Sequence, residues 1–175
     1  GGGVLNLKDD GSTTNQHTFV RSRNLWAQYR IDAVLVDAPY DLGDLKRGDH
    51  RGASDHLTRV GEVVSFYRLK TNLPIWIFGH SMGTSTATRF VNQLNQESGQ
   101  VKGIIIAGTV RTAYLEDGVK IPVEAIHHAL DQCPGTPISN PERIISERDK
   151  NTVSHLEVIE GGISEGDICQ SFAYH

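Results

Sequence analysis

Ser81 stands between two glycines in the run Gly79-His80-Ser81-Met82-Gly83. A serine hydroxyl becomes a useful nucleophile when a tight turn lifts it clear of the backbone and a neighbouring base takes its proton. Gly-x-Ser-x-Gly serves the first requirement. The serine is held in a strained backbone conformation, and a side chain two positions either side would collide with the adjoining strand or helix. The five letters alone are a weak signal, and an ordinary strand-to-helix turn would carry them too. Their setting strengthens them: the apolar run Leu73-Pro74-Ile75-Trp76-Ile77-Phe78 comes before, and the small residues Gly83, Thr84, Ser85 and Ala87 come after.

The elements that must position this serine alternate between strand and helix. Residues 17–29 carry Phe19, Val20, Leu25, Trp26 and Tyr29 at mostly helical spacing, and Ala33-Val34-Leu35-Val36 reads as a strand. The polar, glycine-containing stretch 39–52 reads as a loop. Leu57, Val60, Val63, Val64 and Tyr67 fit one face of a helix. A strand over 73–78, a helix over 82–95 and a strand over 101–107 follow. A loop then leads to a strand over 122–127, a helix over 139–149 with Pro141 in its first turn, and a strand over 155–159. Strands alternating with helices predict an α/β fold, a mostly parallel, doubly wound sheet with helices on both faces.

In open sheets of this kind, functional groups gather beyond the carboxyl ends of the strands. With a serine nucleophile, an acid should follow a later strand and a histidine the last one. Asp131 lies just past the strand ending in Ile126-His127, and an ionised carboxylate there would orient an imidazole and stabilise its charged form. A loop aspartate that merely caps a turn is the plainer reading. Asp117 is the rival, but it precedes the strand. Among the eight histidines, His17, His50 and His56 come before the serine. His80 lies inside the elbow, with its side chain expected to point away from the base. His127 and His128 end a strand ahead of the acid, and His155 begins one. His175, after the final strand, has the right position and order.

Only two cysteines occur, Cys133 and Cys169. One follows the candidate acid by two residues, and the other precedes the candidate base by six. A disulfide between them would tie the acid loop to the histidine loop and imply an oxidising compartment, a periplasm or the outside of a cell. Two separate buried thiols are the alternative, and a cytoplasmic home would go with them.

A chain of 175 residues, 38% of them hydrophobic, can bury one sizeable core, so a single domain over 1–175 is expected. The net charge is −4 and there is no basic stripe, which argues against a nucleic-acid partner. No apolar run approaches the roughly 20 residues of a membrane span. Asp44, Asp49, His50 and His56 have irregular spacing and read as a solvated polar surface, so no metal is expected. No cofactor is required either: the glycines at 1–3 lack the Gly-Lys-Ser/Thr of a phosphate cradle. The chain opens Gly1-Gly2-Gly3, and its only methionine is Met82, so a processed form or a fragment is expected.

Taken together, these segments resemble the α/β-hydrolase superfamily, and more narrowly a group of bacterial α/β-hydrolase proteins of poorly defined activity. The resemblance rests on the Gly1-Gly2-Gly3 opening, Asp10-Gly11-Ser12-Thr13-Thr14-Asn15, Val20-Arg21-Ser22-Arg23 and the Gly79–Gly83 elbow. His127-His128-Ala129-Leu130-Asp131-Gln132-Cys133 and the ending from Gly166 to His175 complete it. It covers nearly the whole chain. It implies the triad Ser81, Asp131 and His175. One half of an oxyanion hole would come from the backbone of Met82, the other from Gly2 or Gly3. The superfamily also has a strand before the glycine-rich loop, lying between the strands that match 33–36 and 73–78, and a closing helix after the histidine. The chain therefore looks truncated at both ends, with 33–36 and 73–78 not directly paired. The expected activity is hydrolysis of a small-molecule ester or related acyl substrate. Peptidase or acyltransferase chemistry, or a non-catalytic binding module on the same fold, are the alternatives. The pocket walls are expected from 39–52 and 109–121, and the sequence leaves the oligomeric state open.

Overall fold

Four short apolar segments pair side by side, all in the same direction. In the computed structural model, which describes residue 5 and residues 7–36, 50–94, 99–170 and 172–175, they are β1 (Trp76–His80), β2 (Gly103–Ala107), β3 (Val123–His128) and β4 (Ser154–Ile159). Their order in the sheet is β1-β2-β3-β4, and every pairing is parallel. Parallel neighbours need a crossover, and helices supply two of them. A short helix α1 (Thr18–Arg21) and a long helix α2 (Ser54–Thr71) precede β1, α3 (Met82–Gln93) joins β1 to β2, and α4 (Ser139–Ser146) joins β3 to β4. This is an α/β fold.

Strand register decides which side chains share a face, because they alternate along each strand. Ile77 pairs with Ile104, Ile104 with Val123, and Ile106 with Ala125. These residues form one face and pack against Phe90 and Val91 of α3 and Ile144 of α4. Ile104, Ile106 and Val91 are wholly buried, and each contributes about 1.5–3 kcal/mol by leaving water. On the opposite face Phe78 lies under Phe19 and Trp26, with ring centroids 4.3 and 6.1 Å away. Toward β4 that face turns polar, and His155 Nδ1 sits 2.9 Å from Glu124 Oε1.

Several expected elements shift. β1 begins at Trp76, since Pro74 has no N–H to give a ladder; the Ile75 carbonyl still accepts the Lys102 N–H at 2.8 Å. Helix α4 is shorter than 139–149 but keeps Pro141 buried in its first turn. Residues 17–29 form not one helix but α1 and then a 3₁₀ helix, Arg23–Tyr29, separated at Ser22. Residues 33–36 form no strand, contrary to expectation, and, as expected, do not pair with β1; Val34 and Val36 are exposed. β-Branched residues favour a strand only where a neighbouring strand accepts their hydrogen bonds. Within the 109–121 loop, Val110, Ala113 and Val119 enter the core. Of the 39–52 stretch, all but residues 50–52 lies outside the described residues. His56 belongs to α2 and is buried against α3, where its Nε2 lies 3.4 Å from Thr86 Oγ1, so it is not part of a solvated loop. Asp44 and Asp49 lie outside the described residues. Among the described residues, no helix is long and apolar enough to cross a membrane.

Candidate active site

Ser81 sits where β1 gives way to α3, with φ 51° and ψ −126°. Its N–H donates to the Ala107 carbonyl at 2.9 Å, fastening the turn to the end of β2. Its carbonyl accepts the Thr84 N–H at 2.9 Å and the Thr84 hydroxyl at 2.7 Å. The glycine at 79 has a direct steric cause. A Cβ there would lie 2.7 Å from the Gly83 carbonyl oxygen and 2.9 Å from Ala87 Cβ, closer than such atoms approach. Met82 opens α3, and its N–H is one of the first-turn donors with no acceptor inside the helix. Gly2 and Gly3 lie outside the described residues.

Asp131 occupies the turn after β3. Its Oδ1 accepts the Cys133 N–H at 2.8 Å, and its Oδ2 lies 3.4 Å from His175 Nδ1. The two side chains are 1% and 3% exposed. Burial by itself would raise the carboxyl pKa. Hydrogen bonds from His175, the Cys133 N–H and Thr136 outweigh it and hold the group below its usual value. Cys133 and Cys169 form a disulfide, with Cα atoms 4.9 Å apart, that ties the acid loop to the segment ending in His175. Asp131 and His175, separated by more than forty residues in sequence, are thus brought together. The Ser81 hydroxyl makes no hydrogen bond to His175.

His80 does not point away from the base as expected. Its ring centroid is 5.0 Å from that of His175, and its Nδ1 is 2.9 Å from His17 Nε2. The cause lies in the strand alternation. His80 shares a face with Phe78, and residues 172–175 return over the end of that face. Both rings lie over Gly108, whose φ is +51°; a Cβ there would come within 3.3 Å of each of them. Burial drives the His80 pKa well below its ordinary value, with neighbouring His17 adding to the effect. His17 falls to about 4 for the same first reason. Both imidazoles are neutral at pH 7, so one N–H and one lone pair meet between them. A cavity of about 370 Å³ opens beside this group, walled by Phe19, Ile126, Ile159, Phe172, Tyr174 and His175 among others. Ser81 is not among its walls.

Thr136 is the site residue that sequence reasoning missed. Its hydroxyl lies 3.0 Å from Asp131 Oδ2 and 3.1 Å from His175 Nδ1. Its spacing of five from Asp131 was the only available signal, and threonine is too common in turns for that to stand out.

No protein-family model matches the sequence, and no curated protein does. Among solved structures, that of YahD with malic acid is similar, at 16% identity and a TM-score of 0.41, over 63% of this chain and 56% of that one. The chain thus spans little more than half the length of the protein it matches. The all-parallel sheet, its strand order and its crossover helices are those of an α/β fold, with Ser81 at positive φ between β1 and α3.

Proposed function

We propose that this protein is a serine hydrolase that cleaves an ester or related acyl substrate through an acyl-enzyme intermediate. Ser81 Oγ attacks the acyl carbonyl carbon while His175 Nε2 takes the hydroxyl proton, and Asp131 remains ionised and orients the imidazole. The Met82 N–H faces the developing oxyanion, with a second donor from Gly2 or Gly3. Collapse of the tetrahedral intermediate expels the alkoxide, which takes the proton from His175. A water molecule then repeats the sequence and frees the acid.

The observation that carries this reading is the backbone of Ser81. A non-glycine residue at φ 51° costs about 1–3 kcal/mol, and such strain clusters where function requires it. The hydrogen-bonded, buried Asp131–His175 pair supports it. The missing hydrogen bond between Ser81 and His175 favours a second reading, a binding module that keeps the fold without the chemistry. Beyond this, the disulfide fits a periplasmic or secreted protein. A fluorophosphonate probe separates the two functions. The intact protein is expected to take the label, and Ser81→Ala to lose it. A folded wild-type protein that takes no label would leave the binding module standing.

A further inference from the structure

We propose that Thr136 is a positioning residue that selects the tautomer of His175. The inference rests on the hydrolase reading above and deepens it, because only one tautomer of His175 leaves Nε2 able to accept a proton.

Thr136 is 1% exposed and sits at the end of the turn Cys133-Pro134-Gly135-Thr136, whose N–H donates to the Cys133 carbonyl at 3.1 Å. Its hydroxyl has one proton and three neighbours. Asp131 Oδ2 is 3.0 Å away, the Cys133 carbonyl 3.4 Å and His175 Nδ1 3.1 Å. The carboxylate is the nearest acceptor and the only charged one, so the proton goes there. A lone pair of the hydroxyl oxygen then faces His175 Nδ1, and Nδ1 must carry hydrogen to meet it. That hydrogen is shared between Thr136 Oγ1 at 3.1 Å and Asp131 Oδ2 at 3.4 Å, with the hydroxyl the closer partner. The opposite arrangement, in which Thr136 donates to Nδ1, would put the ring proton on Nε2 and disable the base. The carboxylate blocks that arrangement by taking the hydroxyl proton, so Thr136 transmits the charge of Asp131 to the imidazole across a contact that Asp131 makes only at long range.

Thr136→Val keeps the shape and removes the hydroxyl; Thr136→Ser keeps the hydroxyl and removes the methyl. In the intact protein with a p-nitrophenyl ester, Thr136→Val should lower kcat about tenfold or more, the scale of one hydrogen bond to a charged group, with KM little changed. Thr136→Ser should restore most of that loss. Nitrogen-15 NMR of the imidazoles should show His175 protonated at Nδ1 in the wild type and in Thr136→Ser, and shifted toward Nε2–H in Thr136→Val. A His175 spectrum unchanged by Thr136→Val, or a loss of kcat as large in Thr136→Ser as in Thr136→Val, overturns the proposal. The spectrum reads the tautomer whether or not the protein turns over substrate. Failure of the hydrolase reading, seen as a folded wild-type protein that takes no label, therefore stays separate from failure of this one.

Discussion

The two halves of the site are built in opposite ways. Around Ser81 most contacts are made by regular structure close in sequence: β1 delivers the serine, α3 carries it away, and Gly79 meets Gly83 and Ala87 of α3. The hydrogen bond from the Ser81 N–H to the Ala107 carbonyl adds a long-range fastening. Asp131 and His175 instead sit on irregular chain, 44 residues apart, and are joined by hydrogen bonds and the Cys133–Cys169 disulfide. Steric exclusion fixes the first half and cross-linking fixes the second. The first should therefore survive as long as the sheet does, whereas the second depends on one covalent bond and a few buried polar groups.

The largest expected effect is that of Ser81→Ala, which on this reading lowers turnover by a factor on the order of 10⁴ or more while leaving stability nearly unchanged. Comparable steady-state rates for the variant and the wild type would remove the elbow from the comparison. Next comes the disulfide. Breaking it with Cys169→Ala frees a sequence separation of 36 residues, for which the chain-entropy model gives about 4 kcal/mol. A lower urea midpoint should go with faster amide exchange in 129–136 and 169–175, while β1 and α3 keep their protection. Equal acceleration throughout the chain would mean that the two halves are not independently built. Gly79→Ala should cost about 2–3 kcal/mol, because backbone atoms that cannot swing aside meet the new Cβ. An unchanged denaturation midpoint would show that the elbow tolerates what its geometry forbids.

A last effect is in acid, spread over a pH window and not seen at neutral pH. His17 binds a proton near pH 4 in the folded chain and near 6.5 when unfolded, so between these values the unfolded state holds more protons. Its contribution is complete above pH 6.5 and is lost as the pH falls toward 4. His17→Gln, whose amide can offer His80 Nδ1 either an N–H or a carbonyl oxygen, should make the loss of stability over that window shallower. Asp131, with its pKa depressed, acts only further into acid, below its ordinary value of 3.8. A slope identical to that of the wild type would show that His17 is not coupled to folding.

Much of the sheet could be read from the sequence, since runs such as Ile104-Ile105-Ile106 have few other uses than a buried parallel strand. Pairing was the part that could not be read. Val34 and Val36 have the composition of a strand but join no ladder among the described residues, and they stay exposed. The direction of His80 was missed because it depends on where residues 172–175 return, and Thr136 because its partner His175 is 39 residues away.

The sequence by itself determined the serine turn, through glycines that act on their nearest neighbours, and the order in which serine, acid and histidine follow the strands. The Cys133–Cys169 pairing was also read from the sequence, and the structure bears it out. Only the tertiary structure decided that His80 and His175 meet over Gly108 with His17 beside them, and that Thr136 stands closer than Asp131 to the imidazole nitrogen. The physical reason is range. Steric exclusion within a turn acts between residues a few positions apart and leaves its mark in residue type. A hydrogen bond between distant loops depends on the whole path of the chain, and neither residue type nor spacing encodes that path.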